Sequence, residues 1–274
     1  MKNCVCYLNS GKSCLPRLLV SISSLREFYS GELNLVQFGE DGLDIILKMQ
    51  DKFKINIILP NIEIAERKQH FLEKTRIHNH VDCENCLFID SDTLIKCNFD
   101  ELFSEIESNE FIAPQFADWS MRKRILIKRT RPWQKYDQNL YNKFLKSNLP
   151  SINVGVFGFN RNSELMKNWY DFTILNKGSF IPDESACHLL VHKYKSKIVS
   201  NIYNYSCSKD MSPIENAKII HYHGKKHCRY ENGNLKYHGE LWVDYFNKLI
   251  DKNECDVSYW FNECGDKRLK GISI

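Results

Sequence analysis

The stretch at residues 86–95, CLFIDSDTLI, decides how the rest of the sequence is interpreted. Four largely apolar residues lead into Asp90-Ser91-Asp92, and apolar residues then resume. The apolar run predicts a buried strand, and residues i and i+2 of an extended chain point to the same side. Asp90 and Asp92 would then direct two carboxylates at one point, which is unfavourable unless a cation or a shared proton offsets the charges. A strand that runs into an ordinary polar turn is the alternative.

Strand and helix patterns alternate on both sides of this stretch. Upstream, strands are predicted at residues 5–8, 33–39 and 55–60, and helices at 15–29, 41–53 and 63–78. Downstream, strands are predicted at residues 111–116, 152–160 and 217–227, and helices at 100–109, 163–176, 240–250 and from Pro182 onward. This alternation predicts a layered α/β sheet. Ligands of such sheets bind at the carboxyl ends of strands, where Asp90 and Asp92 lie.

Composition excludes several classes of protein. A net charge of +4, from 38 basic and 34 acidic side chains, is too small to indicate a nucleic-acid partner. No apolar run approaches the roughly 20 residues that span a bilayer, and the first residues lack the apolar core of a signal peptide. We therefore expect a cytoplasmic protein whose 11 cysteines are reduced. Cys83 and Cys86 form a C-x-x-C, but a second such pair is absent, so the sequence favours free thiols over structural zinc.

Four segments in this order carry a resemblance to a known family. They are Asp90-x-Asp92, the strand INVGVFGFN with Asn153-x-Gly155, the helix start IPDES and the stretch HYHGKKH at 221–227. Together they resemble the nucleotide-sugar glycosyltransferases of the GT-A fold, above all the family of glycogenin and the bacterial lipopolysaccharide galactosyltransferases. The opening helix, LLVSISSLREF, is similar to that family's. The resemblance implies an α/β fold with a Rossmann-like mixed sheet flanked by helices, a catalytic domain at 1–227 and a helical, aromatic extension at 228–274.

The resemblance also implies a metal site and a donor site. Asp90 and Asp92, with Ser91 between them, would bind Mn²⁺ or Mg²⁺ on the donor's diphosphate. His221 would complete the metal site, with His223 as its rival. Beside the diphosphate the family has a glycine and a lysine. Here Gly224 takes the glycine position, and because His227 occupies the lysine position, the cation would come from Lys225 or Lys226.

Further residues correspond to the sugar, the base and the reacting carbon. Asn153 and Gly155 would contact the donor or acceptor sugar, and Asn9 the nucleotide base and ribose. Lys74 or Arg76 corresponds to a basic residue that touches the donor. Asp183 and Glu184 fall on an Asp-Gln pair near the reacting carbon. Because Glu184 replaces the glutamine, the stereochemical outcome, retention or inversion, stays open.

The function implied is transfer of a hexose from a nucleotide diphosphate sugar, with UDP favoured by the resemblance, to a hydroxyl of a glycan or other acceptor. A hard cation held by carboxylates would neutralise the charge of the leaving diphosphate, and this argument does not depend on the resemblance. The basic stretch at 122–131 is either a solvated face or an acceptor-side loop. Membrane contact by the aromatic, basic tail is an alternative that its length does not favour.

Two other functions fit parts of the sequence. The string LFIDSDTLI also resembles the first motif of haloacid dehalogenase-like phosphatases, in which Asp90 would be the nucleophile and Asp92 an acid/base. The α/β pattern that precedes Asp90 argues against this, because that motif is expected near the start of its domain. A sugar-nucleotide-binding protein without transfer activity is the second alternative, which the sequence does not exclude.

Overall fold

The structure is a computed structural model, and it describes residues 2–62, 67–207, 214–223, 230–231, 234–235 and 238–251. Its strands in chain order are β1 Asn3–Ser10, β2 Glu32–Phe38, β3 Ile55–Ile58, β4 Asn85–Ile89, β5 Thr93–Ile95, β6 Phe111–Ala117, β7 Ser151–Ile152, β8 Val156–Asn160, β9 Ser196–Val199, β10 Tyr205–Ser206, β11 Ile219–His221, β12 Tyr230–Glu231 and β13 Asn234–Leu235. Its α-helices are α1 Leu15–Arg26, α2 Leu43–Phe53, α3 Arg67–Thr75, α4 Glu101–Ser108, α5 Trp119–Thr130, α6 Gln138–Lys146, α7 Glu164–Ile174, α8 Pro182–Leu190 and α9 Gly239–Asp251.

A central sheet runs in the order β3-β2-β1-β4-β8-β6-β7, with β9 also paired to β6. The pairs β1–β4, β2–β3 and β6–β9 are parallel, whereas β6 pairs antiparallel with β7 and β8. This mixed α/β sheet confirms the predicted fold class. Among the described helices, none combines the length and the apolar character that a bilayer crossing requires.

The chain divides into two compact units. Unit 1 comprises Met1–Cys6, Ile64–Phe88 and Asp100–Asn204; unit 2 comprises Tyr7–Glu63, Ile89–Phe99 and Tyr205–Ile274. The predicted boundary between a catalytic domain and an extension after residue 227 stays a prediction, and most of that extension lies outside the described residues.

Unit 2 is built around α1, most of whose buried residues are apolar. The helix begins with Pro16 in its first turn, where a missing N–H costs nothing, and it buries ten of its residues. Its serines form polar bridges inside this core: Ser21 lies 2.9 Å from the Tyr7 hydroxyl and 2.7 Å from Thr93 Oγ1, and the Ser24 hydroxyl accepts from the Ile95 N–H at 3.1 Å. These bonds fix β5 against α1, and with it the end of the turn that carries Asp90 and Asp92.

Unit 1 has an aromatic core between its strands and α7. Phe157 stacks on Phe88 at 4.8 Å between ring centroids and meets Trp169 edge-on at 5.1 Å. Trp169 in turn donates its indole N–H to the backbone oxygen of Asp183 at 2.9 Å. The core of unit 1 therefore holds the first turn of α8 in place, because buried indole N–H groups need an acceptor.

Three local expectations differ from the structure. The segment at 152–160 is two strands, β7 and β8, because Asn153-Val154-Gly155 leaves the extended conformation between them. Asp90-Ser91-Asp92 is a turn between β4 and β5 and is not extended as predicted. The basic stretch, for which no helix was predicted, forms α5; it buries only Leu126 and Thr130 fully, so its apolar periodicity is weak.

Candidate metal centre and the Glu184 cluster

The candidate metal centre lies in unit 2, where a turn meets the end of a strand. Asp90 and Asp92 occupy the turn after β4, and the Thr93 hydroxyl donates to the Asp90 backbone oxygen at 2.9 Å. His221 ends β11, which pairs antiparallel with β5 so that His221 lies opposite Thr93. The neighbouring Tyr222 N–H donates to the Asp92 backbone oxygen at 2.8 Å. Backbone hydrogen bonds therefore hold the turn and the histidine together.

The ligand atoms of Asp90, Asp92 and His221 lie within 4.8 Å of one another. His221 Nε2 is 3.0 Å from Asp92 Oδ1 and 4.0 Å from Asp90 Oδ2. The imidazole is buried, whereas the two carboxylates are partly exposed. Carboxylate oxygens suit Mg²⁺ and Mn²⁺, and a neutral imidazole is a common additional ligand. The donor set fits one divalent cation that retains open positions towards solvent.

Arg17 on α1 also faces this centre, and the sequence analysis did not identify it. Its Nη1 lies 3.9 Å from Asp92 Oδ2, and its side chain is only 8% exposed. Burial alone would raise the pKa of the Asp92 carboxyl, but His221 and Arg17 outweigh that effect and hold this pKa well below its usual range. The sequence signal was an arginine in the first turn of a helix pattern whose neighbouring positions are apolar.

The rival ligand His223 has a different partner. Its Nε2 forms a short hydrogen bond of 2.5 Å with the Ser206 hydroxyl, and its ring centroid is 4.9 Å from that of His221. The group of converging ligand atoms includes His221 and not His223. Gly224, Lys225 and Lys226, which the sequence placed next to the diphosphate, lie outside the described residues.

Asn9 lies at the end of β1 in unit 2 and is buried. Its Nδ2 donates to Gln37 Oε1 at 2.7 Å, and Gln37 in turn donates to the backbone oxygens of Phe38 and Gly39 at 3.1 and 3.0 Å. The Asn9 Oδ1 atom is buried with no hydrogen-bond partner among the described residues. A buried acceptor of this kind is usually satisfied, so Asn9 has a free oxygen for a ligand or a water molecule.

The second group of candidate residues lies in unit 1, around Glu184 in the first turn of α8. Glu184 Oε1 accepts from Arg129 Nη1 at 3.3 Å, and Glu184 Oε2 accepts from Asn153 Nδ2 at 2.9 Å. Asn153 Oδ1 accepts from the Gly155 N–H and from Asn204 Nδ2, both at 3.0 Å. The break between β7 and β8 thus serves to turn Asn153 towards Glu184, and it brings Gly155 to the same place.

Positive charge surrounds the Glu184 carboxylate. Burial raises its pKa, and Arg129, Arg122 and Lys74 oppose that rise. Arg122 and Arg129 belong to the basic stretch, whereas its other members Lys123, Arg124, Lys128 and Arg131 are exposed. One face of this helix is therefore solvated, as one interpretation of the basic stretch predicted, whereas the other face is directed at Glu184. We call Glu184, Asn153, Arg122, Arg129 and Lys74 the Glu184 cluster.

The structure separates the two basic residues that were predicted before Asp90. Lys74 is buried, with its Nζ 4.9 Å above the Phe88 ring, and acts on Glu184. Arg76 forms a two-pronged ion pair with Glu73, at 2.7 and 2.6 Å, and stacks over Tyr170. Lys74 is thus part of the cluster, and Arg76 is engaged with Glu73.

Two further residues of α8 support the cluster. Asp183 is buried beside Glu184, and its backbone oxygen accepts the Trp169 indole N–H. His188 Nε2 accepts from the Ile152 N–H at 3.1 Å while Nδ1 donates to the Glu184 backbone oxygen at 2.8 Å. Burial lowers the pKa of His188 to about 4, so the ring is neutral and its tautomer is fixed. His188 positions Glu184 and β7.

Comparison with solved structures identifies the fold. The galactosyltransferase LgtC, solved in complex with donor and acceptor sugar analogs, is 11% identical with a TM-score of 0.59, over 89% of this chain and 95% of that one. Mouse xyloside xylosyltransferase 1 is 14% identical with a TM-score of 0.54, over 82% of this chain and 98% of that one.

The glycosyltransferase GlyE of Streptococcus pneumoniae is also similar. It is 14% identical with a TM-score of 0.62, over 92% of this chain, which spans only 65% of the GlyE chain. No protein-family model matches the sequence, and a search of curated proteins gives no match. At these identities the likeness establishes the fold, which is that of GT-A glycosyltransferases, as the sequence resemblance implied.

Proposed function

We propose that this protein transfers a hexose from a nucleotide diphosphate sugar, with UDP as the favoured nucleotide, to a hydroxyl of a glycan or another acceptor. The observation that carries the proposal is the convergence of Asp90, Asp92 and His221 in a chain with the GT-A fold. The same fold argues against the phosphatase alternative, which required the aspartates near the start of its domain. Binding of the nucleotide sugar without transfer is the remaining alternative, and measurement of nucleotide release distinguishes it from transfer.

In the proposed reaction, Asp90, Asp92 and His221 would hold Mn²⁺ or Mg²⁺. When bound, such a cation neutralises the charge that develops on a leaving diphosphate. Asp92 is kept ionised by His221 and Arg17, so the carboxylate is ready to bind a cation without first losing a proton. Asn9 would use its buried Oδ1 to accept from the base or the ribose. Lys225 or Lys226 would add charge at the diphosphate.

The Glu184 cluster would act on the sugar or the acceptor. Glu184 is held by donors on both carboxylate oxygens, so it is fixed in place. A fixed carboxylate stabilises the positive charge that develops at the anomeric carbon in glycosyl transfer. We propose this electrostatic role for Glu184. Asn153, Gly155 and Asp183 would line the site around its carboxylate, and Lys74 would favour the ionised form. The exposed basic face of α5 would meet the acceptor.

The test is a panel of nucleotide sugars with Mn²⁺, in which release of free nucleotide is measured with and without a chelator. We expect metal-dependent turnover of one donor, slow with water and faster with the correct glycan acceptor. Asp92→Asn should abolish it, whereas the exposed control Asp171→Asn on α7 should retain it. Donor binding without any turnover would favour the binding-only alternative, and turnover that the chelator does not affect would contradict the proposal.

A further inference from the structure

A second group of metal-binding side chains lies in unit 1, apart from the residues discussed so far. The sulfur atoms of Cys4, Cys83 and Cys86 lie within 4.8 Å of one another, and all three side chains are buried. Cys4 and Cys83 are joined as a disulfide in the structure, and Cys86 lies beside them outside that disulfide. Sequence spacing links Cys83 with Cys86 and Cys4 with Cys6, but it does not reveal that Cys4 joins Cys83 and Cys86.

The sheet register explains why the three residues meet. Cys4 on β1 and Cys86 on β4 are direct partners in a parallel pair, so their side chains project from the same face of the sheet. Cys83 lies two residues before β4, in a segment anchored to both sides: the Glu84 N–H donates to the Lys2 oxygen at 2.9 Å, and the Arg161 N–H donates to the Glu84 oxygen at 2.8 Å. Three separate positions of the chain are thus fixed around one point.

Polar contacts fix the backbone around this point. Lys2 Nζ donates to the Asp82 backbone oxygen at 2.8 Å, and Arg161 Nε donates to the Cys83 backbone oxygen at 3.4 Å. Arg161 also forms an ion pair with the Asp82 carboxylate, and the Lys2 N–H donates to Glu84 Oε2 at 3.3 Å, so acidic groups accompany the two cations. Cysteine binds metal ions in its thiolate form, so metal binding would release the thiol protons.

The convergence exceeds what a disulfide needs. A disulfide uses two sulfurs and leaves a third thiol buried beside them, whereas one metal ion uses all three. Three sulfurs at about 2.3 Å from a zinc ion are about 3.8 Å apart, which the observed spacing accommodates. Among the described residues, no fourth histidine, cysteine or carboxylate joins the group. We infer that the reduced protein binds one thiophilic d¹⁰ ion, Zn²⁺ or Cu⁺, through Cys4, Cys83 and Cys86.

The test measures metal content, which does not depend on transferase activity. The protein is purified with reductant and without chelator, passed through a desalting column, and analysed by elemental mass spectrometry. We expect about one Zn²⁺ or Cu⁺ per chain, retained in Asp92→Asn, because that variant removes the other candidate centre. Cys86→Ser should lose at least nine-tenths of this metal. Cys6→Ser, also buried on β1 but outside the group, is the matched control and should retain it.

Separate titrations distinguish the two ions and the disulfide. Apoprotein is titrated with Zn²⁺ and, anaerobically, with Cu⁺ against a competing chelator; the inference requires tight binding of one of them. If Cys86→Ser fails to fold, an organomercurial added to the wild type should release the metal as three thiols react. The inference is overturned if the reduced wild type neither contains nor takes up either ion, or if Cys86→Ser keeps its metal. It is also overturned if two of the 11 thiols stay oxidised during purification with reductant.

Discussion

The metal centre and the Glu184 cluster have opposite balances of charge. The metal centre has two carboxylates and one imidazole. Apart from the histidines, Arg17 is the only cation among the described residues that lowers the pKa of Asp92. The Glu184 cluster has one carboxylate faced by two arginines and a lysine. The first arrangement needs a cation to be complete. The second already has more positive than negative charge, so it is suited to hold a fixed carboxylate in place and not to bind a metal ion.

The comparison predicts that Glu184 matters for rate and not for metal binding. We expect Glu184→Gln to lower kcat by on the order of 10²-fold to 10³-fold, because it removes a fixed charge near the reacting carbon. The concentration of Mn²⁺ for half-maximal activity should stay within about twofold. Steady-state rates measured across a Mn²⁺ titration test both statements. A large shift in the Mn²⁺ requirement would mean that Glu184 also contributes to metal binding.

The pH profile sharpens the role of Glu184. Because burial raises the pKa of Glu184 and its cations only oppose that rise, the ionised form is reached at a higher pH than for an ordinary carboxyl. Activity that needs the carboxylate should therefore rise with pH through that pKa. In Glu184→Gln this acid limb of the profile should be absent. If the acid limb of the pH profile were unchanged in Glu184→Gln, a group other than Glu184 would be responsible for it.

His188 makes the Glu184 cluster sensitive to acid. Its folded pKa is about 4, below the ordinary value of 6.5, so the unfolded chain takes up a proton first as the pH falls. The part of the free energy of unfolding that depends on His188 protonation is therefore fully present above pH 6.5. It decreases towards pH 4, by up to about 3 kcal/mol. Urea unfolding of wild type and His188→Gln at several pH values isolates this contribution, since other groups titrate in both. Parallel curves would show that His188 contributes nothing.

Arg129 should have a smaller effect than Glu184, because Asn153 still holds the carboxylate in its absence. We expect Arg129→Gln to lower kcat by about tenfold. Lys143→Gln, on the exposed face of α6, is the matched control for charge and should change kcat by less than twofold. Equal losses in the two variants would mean that the net charge of the protein matters and the contact with Glu184 does not.

The two regions also differ in how much the sequence revealed. Asp90 and Asp92 stood out because two carboxylates follow an apolar run, whereas His221 was implied by the family resemblance. Arg17 and Arg129 were missed, since a long cationic side chain inside a helix carries no sign of the direction in which it points. The register that pairs Cys4 with Cys86 depends on long-range strand order, which local patterns do not contain. The sheet and most helix positions were predictable; the partners of the site residues were not.

The most direct test of the central claim compares the two histidines. Nucleotide release from the preferred donor is measured against Mn²⁺ concentration in wild type, His221→Gln and His223→Gln. We expect at least a tenfold higher Mn²⁺ requirement in His221→Gln and a change within twofold in His223→Gln. The reverse order, or full activity of His221→Gln at the wild-type Mn²⁺ requirement, would contradict a metal centre made of Asp90, Asp92 and His221.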